Sequence, residues 1–212
     1  MTDARNTEVF ELFPTPLMRV PHAIPATLAA VLRERFAAAA STANQRSAGL
    51  SHTALLDPAD DPALGPLAQA IGPHIVAFGE LLFGQRLRWA IKEMWVNVLQ
   101  HGGQQGLHNH ANSFVSGVLY LSASHASAQT AFTRAMGGQD FVFRNAHAQA
   151  EQGRFNADKW ISPAPAAGDL LLFPSYLLHE VPANQGPERI TLAFNAIPQR
   201  LDAWGYGIEF SA

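Results

Sequence analysis

The chain has 212 residues, 48% of them apolar and 15% charged, which suits one domain or one core with a helical annex. Its formal charge of −3 offers no basic field to nucleic acid and no polybasic patch to a membrane surface. There is no cysteine, so disulfides and thiolate metal sites are excluded, and a transition metal would have to be held by nitrogen and oxygen ligands.

The opening MTDARNTEVFELF carries acids where a signal peptide needs a basic and then an apolar stretch. No apolar run reaches bilayer length, so the expected location is the cytoplasm. A short strand is expected over residues 9–13. Pro25 then opens a helix with Leu28, Val31, Leu32 and Phe36 on one face, continuing through an Ala-rich run to Ala40. Residues 41–49 read as a polar loop. Asp60 and Asp61, ahead of Pro62, resemble a cap for a second helix. Its apolar face runs through Leu64, Leu67 and Ile71, is interrupted at Gly72-Pro73, and resumes through Ile75, Phe78 and Leu82.

From about Arg86 the periodicity changes. In residues 92–99, Trp95, Asn97 and Leu99 alternate with Met94, Val96 and Val98. A glycine-rich turn is expected over 100–106. Strands are expected over 113–121, 129–136, 140–143, 169–173, 177–181 and 190–196, separated by Gly, Pro and Asn turns. Many short strands of this kind argue for a closed or sandwiched β-fold. The fold class is therefore mainly β with a helical layer (α+β). One domain is expected over 1–212, with 1–85 as the N-terminal helical layer and 86–212 as the β core.

Two features carry chemistry. His108 and His110 are one residue apart at the head of LHNHANSFVSGVLYL, and in an extended chain residues i and i+2 face the same way. His179 follows in the apolar run FPSYLLHEVP, where an unpaired polar group would be costly if buried. Three imidazoles suit Fe, Zn, Cu or Ni. Taken alone, His-x-His equally describes two polar side chains on a strand edge. His101, beside two glycines, reads as a turn residue near the mouth of a site, and His22, His52, His74, His125 and His147 show no partner pattern. Arg189 and Thr191, two apart in a strand, face one way and suit a carboxylate, with a surface salt bridge as the lesser alternative for Arg189. Asn97, Tyr120 and Asn195 are pocket-lining hydrogen-bonders or ordinary strand residues, and Trp95 reads as barrel wall.

The ordered series Trp95-Val-Asn97, His108-Asn-His110, Ser116-Gly-Val-Leu-Tyr120-Leu, Gly168-Asp-Leu-Leu-Leu-Phe173-Pro-Ser175, His179 and Arg189-Ile-Thr191-Leu-Ala-Phe-Asn195 resembles the 2-oxoglutarate- and Fe(II)-dependent oxygenase superfamily. The likeness is to a bacterial and phage branch with mostly unassigned substrates. It covers the C-terminal half closely, and the ELFPTPL segment and helical region more loosely. The resemblance implies a double-stranded β-helix (jelly roll, cupin-like) with helices packed outside and a metal at the open end of the barrel. It matches His108 and His179 to metal histidines, and Arg189 and Thr191 to the pair that holds the far carboxylate of 2-oxoglutarate. Tyr120, Asn97 and Asn195 are the further co-substrate candidates.

One position departs from the pattern. The residue two after the first histidine is commonly Asp or Glu, and here it is His110. No acid lies between Glu93 and Asp140, so a three-histidine site (His108, His110, His179) is expected. Its ligands leave the dication uncompensated, which favours an anion, and they leave Fe, Zn and Ni open. The expected activity is an Fe(II)/2-oxoglutarate dioxygenase of unknown substrate, a small molecule or peptide, whose choice falls to residues 122–165. The rivals are a cupin-like isomerase or hydrolase using Zn, Ni or Mn, and a non-catalytic small-ligand module. No nucleic-acid or membrane partner is expected, and any self-assembly is expected to be a homodimer.

Overall fold

The computed structural model describes residue 8 and residues 10–134 and 147–210. In chain order the elements are β1 (Met18–Val20), α1 (Ala26–Ala37), β2 (Thr42–Ala43), β3 (Leu50–His52), α2 (Leu64–Phe83), β4 (Trp89–Leu99), β5 (Gln105–His108) and β6 (Val115–Tyr120). They continue with β7 (Ala131–Thr133), β8 (Lys159–Ile161), β9 (Leu170–Pro174), β10 (His179–Val181), β11 (Arg189–Pro198), β12 (Arg200–Ala203) and β13 (Tyr206–Glu209). One sheet runs β1-β9-β6-β11-β4-β3-β2, a second runs β5-β10-β7-β8, and β12 and β13 form a separate hairpin. Every pairing is antiparallel. This is the jelly-roll arrangement.

Alternation along the strands explains why the large sheet has two working faces. Met94, Val96, Val98, Val115, Leu119, Leu170, Leu172, Ile190 and Leu192 point outward into one core with Ile24, Leu32, Phe36, Leu64, Leu67, Ile71 and Phe78 from the helical side. The residues between them, including Asn97, Ser116, Tyr120, Phe173, Arg189 and Thr191, face the other way. Both faces are buried, so these strands carry apolar residues on one side and polar chemistry on the other. At Gly117 an added Cβ would lie 2.1 Å from the Phe194 ring. Only a residue without a side chain lets that ring lie across the strand.

Several expectations about the first 85 residues change. Val31 is 53% exposed, and α1 instead buries Ala29, Leu32 and Phe36. The second helix is continuous through Pro73. An interior proline costs about 3 kcal/mol. Each large apolar side chain buried on the two halves, Leu64, Leu67 and Ile71 before Pro73 and Ile75 and Phe78 after it, contributes about 1.5–3 kcal/mol against the same sheet. Packing therefore outweighs the break. The α2 cap is also not a side-chain cap: Asp61 accepts from the Ala63 N–H at 2.9 Å and pairs with Arg35. The chain ends that helix at Gly84, which takes φ 68° and returns its N–H to the Glu80 carbonyl.

The 41–49 stretch is not all loop, since β2 lies within it and pairs with β3 to extend the large sheet past β4. Residues 10–13 are not strand, and the first strand is β1. His52 is a strand residue of β3. Of the strand expected over 129–136, residues 131–133 are strand, while 135–136 and the whole of 140–143 lie outside the described residues. Strands β1, β3, β8, β12 and β13 carried no sequence expectation, and β5 begins inside the expected 100–106 turn. Among the described residues no helix is long and apolar enough to cross a membrane.

Candidate metal centre

His108 is the last residue of β5 and His179 the first of β10, and the two are register partners across the small sheet. His110 lies beyond β5, on the segment that crosses to β6 in the large sheet, where its N–H donates to the Ser175 carbonyl at 3.0 Å. His108 and His110 therefore do not share a strand as the i, i+2 argument supposed. The chain leaves β5 at His108, and the fold, not strand alternation, brings His110 back. One nitrogen of each ring lies within 4.8 Å of the other two. The ring centroids are 5.1 Å apart for His108–His110, 4.2 Å for His108–His179 and 5.2 Å for His110–His179.

Burial keeps all three rings neutral. It is the leading cause of the lowered pKa of each, taking His110 to about 4 and His179 to about 3, with repulsion from His108 adding to both. Neutral imidazoles are what a metal requires. Backbone carbonyls set two of the tautomers. His108 Nδ1 lies 2.8 Å from the Gly106 carbonyl and His179 Nδ1 lies 2.9 Å from the Leu177 carbonyl. A carbonyl only accepts, so each Nδ1 carries its hydrogen and each Nε2 keeps a lone pair for a ligand. The Gln105 amide sits 3.3 Å from His108 Nε2, donating to that lone pair. Phe173 and Phe132 wall His179, and Trp95 lies against His110 with ring centroids 5.9 Å apart.

One cavity is lined by all three histidines together with Asn97, Arg189 and Thr191. Arg189 is 3% exposed. Among the described residues its partners are three hydroxyls, Ser124 at 3.2 Å, Thr130 at 3.3 Å and Thr191 at 3.5 Å, with no carboxylate. Its guanidinium lies 5.1 Å from the centre of the Tyr120 ring. At that burial Arg189 is not a surface salt bridge, and among the described residues this cation, which lines the cavity, has no counter-ion.

The other candidates divide. Asn97 lines the cavity, with its Oδ1 accepting from the Trp95 indole at 3.1 Å. Tyr120 and Asn195 stand behind the wall. Tyr120 is fully buried, with its hydroxyl 3.0 Å from Thr130 Oγ1. Asn195 bonds Ser116, Glu93 and His110. Sequence reasoning missed Thr130, Ser124, Gln105 and Glu93. All four are single polar residues whose only signal is spatial. His101 is a turn residue bonded to the Gly186 carbonyl.

Comparison with known proteins agrees with this geometry. A family model described as "Putative 2OG-Fe(II) oxygenase" matches residues 93–195, which contain all three histidines, Arg189 and Thr191. Among solved structures, HygX from Streptomyces hygroscopicus, with nickel and 2-oxoglutarate bound, is 16% identical over 87% of this chain and 83% of its own, with a TM-score of 0.62. A Pseudomonas putida prolyl-4-hydroxylase is 20% identical over 87% and 93%, with a TM-score of 0.60. The epimerase SnoN, in complex with Fe3+, alpha ketoglutarate and nogalamycin RO, is 15% identical over 87% and 80%, with a TM-score of 0.64. At these identities the likeness is one of fold. No curated protein matches the chain. The matched segment, just under half of the chain, spans β4 to β11 and takes in the histidine triad and the buried arginine on a jelly roll, and over that segment the chain is similar to the 2OG-Fe(II) oxygenases.

Proposed function

We propose that the chain is an Fe(II)- and 2-oxoglutarate-dependent dioxygenase that uses His108, His179 and His110 toward the metal and Arg189 with Thr191 toward the co-substrate. The observation that carries this reading is the buried guanidinium. Arg189 is 3% exposed, faces the cavity of the histidine triad, and has only hydroxyl partners among the described residues. A buried charge of this kind is tolerated when a ligand supplies the opposite one. The donor set fits the metal as well, because three neutral imidazoles within 4.8 Å of one another converge on one point.

When bound, iron and 2-oxoglutarate supply the oxidising chemistry, in which decarboxylation of 2-oxoglutarate to succinate is coupled to oxidation of the substrate. The chain's own residues supply position and shielding. The Arg189 fork presents paired N–H donors to a carboxylate, and the Thr191 hydroxyl adds a third. Tyr120 and Thr130 hold the guanidinium from behind, through the ring face and through hydroxyl bonds. Phe132 and Phe173 pack an apolar wall against His179, and Trp95 lies against His110. Three neutral ligands leave a dication's charge in place, so the cavity is electrostatically selective for an anion at its floor.

The wider reading is a cytoplasmic enzyme acting on a small-molecule or peptide substrate, without a nucleic-acid or membrane partner. The net charge of −3 supports the absence of nucleic acid. The test is turnover. Purified Fe(II) protein should convert 2-oxoglutarate to succinate and CO₂ slowly without added substrate, consuming oxygen in step. Metal-dependent turnover of another anion without oxygen uptake would instead favour the isomerase or hydrolase class.

A further inference from the structure

The three histidines are not equivalent, and the difference lies in what stands behind them. His108 and His179 each give an Nδ1–H to a backbone carbonyl. His110 faces a side chain: its Nδ1 is 3.3 Å from Asn195 Nδ2. The orientation of that amide follows from its other partners. Asn195 Nδ2 is 2.7 Å from Glu93 Oε1, and an ionised carboxylate only accepts, so the group facing it is the NH₂. Asn195 Oδ1 accepts from the Ser116 hydroxyl at 2.7 Å, and Ser116 is itself 2.9 Å from the Ser175 hydroxyl. The second amide hydrogen therefore points at His110 Nδ1, which must be an acceptor. A neutral ring with a lone pair on Nδ1 carries its hydrogen on Nε2, the reverse of His108 and His179.

We propose that Asn195, held by Glu93, is the positioning residue of His110: it keeps this histidine in the opposite tautomer and makes it the labile arm of the triad. For His110 Nε2 to become a full ligand, its hydrogen must move to Nδ1, and an N–H would then face the Asn195 NH₂. The amide would have to invert, bringing Oδ1 against Glu93. The charge-assisted bond at 2.7 Å opposes that inversion. His108 and His179 meet no such obstacle. The site therefore has two firm imidazoles and a third that exchanges with other ligands. Replacing Glu93 by Gln removes the lock, because a Gln amide can donate to an inverted Asn195.

This inference rests on the metal-site reading, but its first test does not use a metal. Long-range ¹H–¹⁵N spectra of the metal-free protein at pH 7.5, assigned with His110→Gln and His179→Gln, should show the Nδ1–H tautomer for His108 and His179 and the Nε2–H tautomer for His110. An Nδ1–H tautomer at His110 in the wild-type protein overturns the proposal. In Co(II) titrations, His110→Ala should weaken binding less than about fivefold, and His108→Ala or His179→Ala by more than a hundredfold. Glu93→Gln should tighten binding several-fold and shift the Co(II) visible bands as a third imidazole joins. Three equivalent imidazoles in the wild-type Co(II) protein, or a Glu93→Gln variant that binds unchanged or more weakly, would also overturn it. No Co(II) binding to wild-type protein would instead sink the metal-site reading, with the tautomer assignment still decided by the metal-free spectra.

Discussion

Arg189→Ala separates a ligand anchor from a structural arginine, because the two roles predict opposite signs in two measurements. On the ligand side it deletes charge-assisted donors to a carboxylate, worth about 1.5–3 kcal/mol, or roughly a ten- to hundredfold loss of 2-oxoglutarate affinity. On the folding side it deletes a cation 3% exposed that, among the described residues, has three hydroxyl partners and no counter-ion. Removing an uncompensated buried charge relieves its desolvation cost, and the Tyr120–Thr130 bond survives the change. The metal-free variant should therefore melt at the same temperature as wild type or higher. Arg189→Lys should recover only part of the affinity, since an ammonium keeps the charge and loses the fork. Thr191→Ala should cost about 1 kcal/mol, one neutral donor. Metal content should be unchanged in all three, because no triad histidine bonds to Arg189. The assay is calorimetric titration of 2-oxoglutarate into protein loaded with Fe(II) or Mn(II) under nitrogen, with thermal melting of the metal-free forms alongside. Equal affinity of wild type and Arg189→Ala, or a variant that binds normally but melts much lower, would refute the reasoning.

Three further predictions follow from the site and its support. His179→Ala should abolish stoichiometric metal binding, because His179 provides one of the two carbonyl-set Nε2 donors; metal analysis after gel filtration reads this directly. The metal-free protein should lose stability as pH falls from about 6.5 toward 4 for His110 and toward 3 for His179, since their folded pKa values lie below the unfolded one and the unfolded chain binds more protons. Each should contribute about 1.4 kcal/mol per pH unit in that window, so urea midpoints at pH 7.5 and 5.0 should differ clearly, and equal midpoints would count against burial of the triad. Gly117→Ala should destabilise by about 1–3 kcal/mol, because its Cβ would lie 2.1 Å from the Phe194 ring; an unchanged denaturant midpoint would show that the ring has room to move.

Local periodicity and motif order made most of this molecule legible. Alternation separated Trp95, Asn97 and Leu99 from Met94, Val96 and Val98 in β4 and put Arg189 and Thr191 on one side of β11, because in a strand the side-chain period is two wherever the strand pairs. The order of His108, His179, Arg189 and Thr191 pointed to four residues that line one cavity, since metal and carboxylate chemistry restrict the usable side chains. Tertiary structure decided what depends on contacts across sequence distance. Gly72-Pro73 reads locally as a break, yet burial of both halves of α2 on one sheet outweighs it. His108 and His110 read as one strand face, yet the chain leaves the small sheet between them, and His110 returns through a bond to Ser175. Glu93 reads as a strand acid too far along the chain to matter to His110, yet β4–β11 pairing sets it opposite Asn195. That register is a property of two strands together, and the hydrogen bonds that distinguish the third histidine from the other two follow from it.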